Sequence, residues 1–304
     1  MKPRPLIATF VLLMAAAPLL RAYYSIGRYK NDGSALVPAR FDLTKLRNST
    51  VTFYLNEKRP TNLASGDTLE ALLSEISLAT ATWNGVSTSA LRVGFGGFTP
   101  LTGDSATNPV GVVRFSSSIP PGVAAAGGPV VGSFTSTSEF LPILLSNVLL
   151  PMDMSQTNTS DPSFLAILVH EMGHSLGLHH TVVASVMFQT RLTGRGGLLT
   201  ADDVASISTL YPTAAFGSTT GSLSGKVIGP AGPRVLAAVT AFHDTVAIGG
   251  NTNPDGTFLI RGLPPGSYRL AVQPLMLGAA PSPDANNPGD PDDLIEVKKL
   301  DGSG

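Results

Sequence analysis

From His170 to His180 the chain reads His-Glu-Met-Gly-His-Ser-Leu-Gly-Leu-His-His, a run that few folds can accommodate. His170 and His174 are four residues apart, so on a helix both imidazoles leave one face, one turn apart. That spacing suits two ligands to a single ion at about 2.0–2.1 Å. Glu171 lies about 100° further round the helix, where a carboxylate can reach a water beside the ion without ligating it. Gly177 can take a left-handed conformation and turn the chain sharply, which returns His180 to the other two imidazoles. Three protein ligands leave a fourth position open, as in catalytic rather than structural zinc sites. The preceding residues, Phe164 to Val169, are continuously apolar, so the helix is expected to be buried. Burying three imidazoles and a carboxylate with no metal would be costly.

The elements around this stretch follow from periodicity. Val51–Leu55 reads as a strand, and Leu69, Leu72, Leu73, Ile76 and Trp83 place an amphipathic helix over 68–83, with Asp67 and Glu70 spaced as its capping box. The short apolar runs Leu91–Phe98, Val110–Phe115, Val130–Phe134 and Ile143–Leu150 lie between Gly, Pro and Ser clusters and read as four more strands. Asp161 and Pro162 start the histidine helix, expected over Ser163–Leu176. A last helix is expected over Ala201–Leu210, with Thr200 and Asp203 at capping-box spacing. Asp202 and Asp203 are expected to cap this helix and support the site from behind rather than ligate. Trp83 is expected in the core. Residues 213–220 read as a flexible linker by composition. Beyond it, Val235, Ala237, Val239 and Ala241 alternate, as do Phe258 with Ile260, and Tyr268 with Leu270 and Val272. Turns at Pro254-Asp255-Gly256 and Pro264-Pro265-Gly266 complete the pattern of a small antiparallel β-sandwich over 221–275. The predicted fold class is therefore α+β: a mixed-sheet domain over 40–212, then an all-β sandwich.

The run HEMGHSLGLHH resembles the long zinc motif HExxHxxGxxH of the metzincin metallopeptidases. Thr181 is closer to the serine that the matrixin group carries after the third histidine than to the acidic residue of astacins or adamalysins. Met187, in Ser185-Val186-Met187-Phe188, is similar in placement to the methionine turn beneath the zinc. Thr200 to Val204 with Leu210-Tyr211-Pro212 resembles the closing helix of matrixin catalytic domains. The resemblance covers about 40–212 and is strongest at 170–180. It implies one zinc ion on His170, His174 and His180. His179 could compete as a ligand, and the family spacing selects His180. It also implies that Val130–Thr135 is the edge strand that pairs with an extended substrate. No further histidines are available for the second, structural zinc site of animal matrixins, and with no cysteine in the chain there can be no cysteine-switch latency. The second domain is similar to carboxypeptidase-regulatory-like sandwiches at Ser224-Gly225-Lys226-Val227, Asp255-Gly256-Thr257-Phe258 and Gly262 to Tyr268, which speaks to fold more than function.

The ends and the charge complete the reading. Lys2 and Arg4 precede a 15-residue apolar run, Leu6 to Leu20, too short for a transmembrane helix. Residues 1–22 are expected to be a secretory signal peptide, the alternative being an uncleaved N-terminal anchor. Residues 23–39 are expected to form a lead-in and 276–304 a mobile tail. A net charge of −1 argues against nucleic acid as a partner. The expected function is a secreted zinc endopeptidase acting on protein or peptide substrates, with Glu171 as the catalytic base, Gly177 and Met187 as structural residues near the site, and no stable membrane span after signal cleavage. The alternative is a non-catalytic secreted or surface binding protein with a vestigial zinc site. No residue pattern assigns calcium, an oligomeric state or a cleavage preference.

Overall fold

In the computed structural model the described residues are 25–29, 36–103, 108–120, 123–135, 137–188, 197–230 and 232–274. The expected signal peptide, the expected tail from 276 and part of the lead-in lie outside them. In chain order the strands before the first helix are β1 (Gly27–Tyr29), β2 (Leu36–Arg40), β3 (Thr50–Asn56) and β4 (Asn62–Leu63). Helix α1 (Leu69–Asn84) is followed by β5 (Arg92–Thr99), β6 (Val110–Ser116), β7 (Ala126–Val131), β8 (Leu141–Pro151) and β9 (Asp153–Met154). The histidines lie on α2 (Pro162–Ser175), and α3 (Ala201–Leu210) and α4 (Ala214–Thr219) come after it.

A seven-stranded mixed sheet carries the site. Strands β5, β3, β6 and β8 run parallel, β2 adds in parallel at the start of β8, and β7 pairs antiparallel along the same edge of β8. The alternation of β3 puts Val51, Phe53 and Leu55 on the buried face. Leu72, Ile76, Ala79 and Trp83 recur every three or four residues on α1 and are buried against this face. Phe164, Leu168 and Met172 of α2 join the same cluster. Full burial of each large apolar side chain contributes about 1.5–3 kcal/mol. The indole N–H of Trp83 donates to the Val169 carbonyl at 2.8 Å and locks α1 to the histidine helix.

Four local expectations differ from the structure. The cap of α1 is Thr68, whose hydroxyl accepts the Ala71 N–H, and Asp67 instead accepts the N–H of Thr159 at 2.7 Å. The strand expected at Val130–Phe134 is Ala126–Val131, four residues earlier at its start. Gly127, Gly128 and Pro129 look like a turn in sequence, yet β7 crosses α2 at Gly127 with no room for a Cβ beside the Glu171 carbonyl. The stretch predicted as a flexible linker contains a helix, α4, whose Phe216 is buried. The lead-in also contributes to the sheet: Val37 and Ala39 of β2 are core residues, and β1 pairs with β2.

The C-terminal residues form β10 (Gly221–Lys226), β11 (Ile228–Gly229), β12 (Gly232–Pro233), β13 (Ala237–His243), β14 (Val246–Asn251), β15 (Thr257–Leu263) and β16 (Arg269–Pro274). All pairings are antiparallel: β10 with β15, β11 with β12, and a three-stranded sheet in the order β14, β13, β16. No helix among the described residues is long and apolar enough to cross a membrane.

Candidate metal centre

Helix α2 begins with Asp161 accepting the Ser163 N–H at 2.7 Å and Pro162 in its first turn. Its last turn carries His174 and stops at Leu176, where Gly177 takes φ 101°. The turn is held from three sides. Ile26 N–H donates to the Gly177 carbonyl at 2.9 Å, and the Tyr211 hydroxyl donates to Leu176 O at 2.8 Å while accepting the Phe41 N–H. Ser175 Oγ donates to the Asn147 carbonyl on β8. A Cβ at Gly177 would run into the Ala39 carbonyl, so the residue is needed for both its conformation and its small size.

The turn delivers His180 to the two helix histidines. The Nε2 atoms of His170, His174 and His180 lie 3.1 Å from one another in every pairing. An ideal tetrahedral site with bonds of about 2.05 Å spaces its ligand nitrogens about 3.3 Å apart, so the triangle fits a zinc-sized ion. The opposite nitrogens explain the tautomers. His170 Nδ1 meets the Val186 carbonyl at 2.6 Å and His174 Nδ1 the Leu178 carbonyl at 2.9 Å. A carbonyl can only accept, so each Nδ1 carries the proton and each Nε2 presents a lone pair. Burial holds the His174 imidazole well below its ordinary value, and His170 and His180 push it the same way. The ring therefore stays neutral, which is the state that ligates. Lone pairs facing each other at this spacing, on three rings of which two are buried, are a poor arrangement without a cation.

The segment after His180 closes the floor. Thr181 N–H donates to the Met187 carbonyl at 2.9 Å, and Met187, almost fully buried, packs on Gly173 of α2. Asp203 at the start of α3 accepts the N–H groups of Val186 and Met187, each at 3.1 Å, and that of Thr200 at 2.8 Å. One buried carboxylate thus closes the helix cap and holds the turn at Val186 and Met187. Its burial raises its pKa against the lowering effect of those donors.

Of the residues singled out from sequence, His170, His174 and His180 form one group able to hold a metal. Glu171 follows His170 on the helix, half-buried, where β7 crosses. His179 is buried beside His174 and His180 and is outside the three-nitrogen group. His243 lies on β13, with Nδ1 at 2.9 Å from the Ser267 carbonyl. Sequence reasoning missed the supports at Ile26, Tyr211 and Ser175. The capping-box spacing of Thr200 and Asp203, with the expectation that Asp202 and Asp203 support the site from behind, signalled part of this network in advance.

The matrixin family matches residues 133–212, which span β8, α2, the three histidines, Met187 and α3. No curated protein matches the chain.

Proposed function

With a matrixin-like metzincin segment around its three histidines as the premise, we propose that this chain is a secreted zinc endopeptidase. The observation that carries the reading is the triangle of Nε2 atoms at 3.1 Å, built by two carbonyl-bound helix imidazoles and one returned by the Gly177 turn. His170, His174 and His180 would hold one zinc ion, which when bound supplies Lewis acidity toward a carbonyl and acidifies water. Glu171 leaves the same helix about 100° from His170 and is assigned the proton transfers. It takes the proton of the attacking water and later gives it to the leaving amine, so that peptide and water become carboxylate and amine. Gly177 sets the direction of His180, and Met187 supports the helix from below.

Substrate orientation follows from β7. Among the described residues this strand pairs with β8 on one side only, and it crosses the helix beside Glu171. An extended peptide adding along β7 would be held by main-chain hydrogen bonds, with its scissile bond brought toward the imidazoles. The basic start and short apolar run of residues 1–22 support export.

The test is digestion of a peptide library by the chain from residue 23 onward. The expected result is internal cleavage, lost on chelation and restored by one equivalent of zinc. Zinc bound one to one with every peptide left intact would overturn the endopeptidase reading in favour of a binding protein.

A further inference from the structure

Asp202 is a buried carboxylate that the proposed mechanism does not use; it is 1% exposed. Its Oδ1 accepts the Gly249 N–H at 2.8 Å, and the Thr181 hydroxyl lies near enough to favour its charged form. These two groups belong to distant segments of the chain. Thr181 follows His180 directly, and its N–H is bonded to the Met187 carbonyl. Gly249 belongs to β14, an edge of the three-stranded C-terminal sheet, so an N–H pointing away from β13 needs a partner outside the ladder. Asp202 supplies it.

The packing agrees with the hydrogen bonds. Helix α3 is shared between two cores: Ile207 and Leu210 lie in the main cluster, while Ala205 lies with Val239, Ala241, Ile248 and Ile260 of the C-terminal strands. One cavity is lined both by Val182 and Ala184, just past the third histidine, and by Thr240 and Ala247 of the C-terminal sheet. A tethered spacer has no need of a carboxylate removed from water between it and its neighbour, since such a group is costly unless its bonds are made. We infer that Asp202 is a positioning residue that makes the C-terminal sheet part of the frame of the metal centre, bracing the His180–Met187 segment through Thr181. This rests on the three histidines holding a metal.

The experiment uses full-chain variants and two readouts independent of turnover: zinc affinity by chelator competition, and the visible absorption of the cobalt-loaded protein. Asp202→Ala is expected to weaken zinc binding by about 10- to 100-fold, the usual effect of losing a group that orients ligands, and to shift the cobalt bands. Asp202→Asn should restore most of both, because its amide can accept from Gly249 and donate to Thr181 Oγ. Thr181→Val should resemble Asp202→Ala, and the double variant should be no worse than the more severe single one. Gly249→Pro removes the far donor from an edge strand and should move the cobalt bands in the same direction. An Asp202→Ala protein that melts earlier yet keeps wild-type zinc affinity and cobalt spectrum would overturn the inference and leave Asp202 purely structural. Unchanged bands in Gly249→Pro would remove the C-terminal sheet from the brace. Wild type that binds neither ion would overturn the metal reading and this inference together. Wild type that binds both but cleaves nothing would sink only the peptidase reading.

Discussion

Replacing Gly177 by Ala separates the two reasons for a glycine at the turn between the second and third imidazoles. The residue sits at φ 101°, a conformation that costs an L-residue about 1–2 kcal/mol. Its Cβ would also meet the Ala39 carbonyl, which is backbone in β2 and cannot rotate aside. Ala39 N–H is bonded to Ile26 O at 2.6 Å and Ile26 N–H to Gly177 O at 2.9 Å, so separating the chains strains or breaks at least one such bond. A lost hydrogen bond costs about 0.5–1.5 kcal/mol. The sum is about 3 kcal/mol, or a fall in Tm of about 6–12 °C at ~2–4 °C per kcal/mol. Gly66 is the control: φ is 87° and a Cβ there would meet nothing within 4 Å, so Gly66→Ala should show the backbone term alone, about 1–2 kcal/mol. Thermal unfolding of both variants, with zinc titrated into each, measures the difference. Zinc affinity should fall in Gly177→Ala and not in Gly66→Ala. Equal destabilisation of the two, or normal zinc affinity in Gly177→Ala, would refute the claim that close approach to β2 aims His180.

Three further outcomes are expected. Glu171→Ala should retain zinc and lose about 10²–10⁴ in peptide hydrolysis; a variant with zinc and near-normal turnover would remove Glu171 from the mechanism. Asp203→Ala leaves the N–H groups of Val186, Met187 and Thr200 without their acceptor and should cost about 3 kcal/mol in urea unfolding, whereas a loss under about 1 kcal/mol would mean that water replaces it. Burial, with the nearby Asp203 charge, pushes the Asp202 carboxyl from 3.8 up to about 7. Between those values the native state holds a proton that the unfolded chain has released, so this group's contribution makes stability fall as pH rises from about 4 to 7. His174, held below 6.5, acts in the opposite direction, but equally in wild type and Asp202→Asn. The difference between their unfolding free energies should therefore change by about 4 kcal/mol across the window at ~1.36 kcal/mol per unit, and parallel curves would contradict the assignment.

The histidine helix and its turn were legible in the sequence because every determinant is local. Imidazoles four apart share a face by helix geometry, Asp161 and Pro162 start a helix by their own chemistry, and Gly177 permits the reversal. The expected strands at Val51–Leu55, Leu91–Phe98, Val110–Phe115 and Ile143–Leu150 are each found with ends shifted by at most two residues, since short β-branched and aromatic runs between breakers have little else to do. Strand β7 was misplaced for the same reason in reverse: Gly127-Gly128-Pro129 has the local chemistry of a turn, and only the approach of α2 makes glycine a strand residue there.

Tertiary structure alone decided who partners whom. Asp67, three residues before Glu70, has the spacing of a capping box, yet its carboxylate goes to Thr159, 92 residues away. Nothing in Tyr211 announces that its hydroxyl joins Phe41 to Leu176, or in Asp202 that it lies between Thr181 and Gly249. A backbone period is set by the residue and its near neighbours, so a sequence carries it openly. The partner of a buried polar group is set by which distant elements the core brings together, and that is decided only when the whole chain packs.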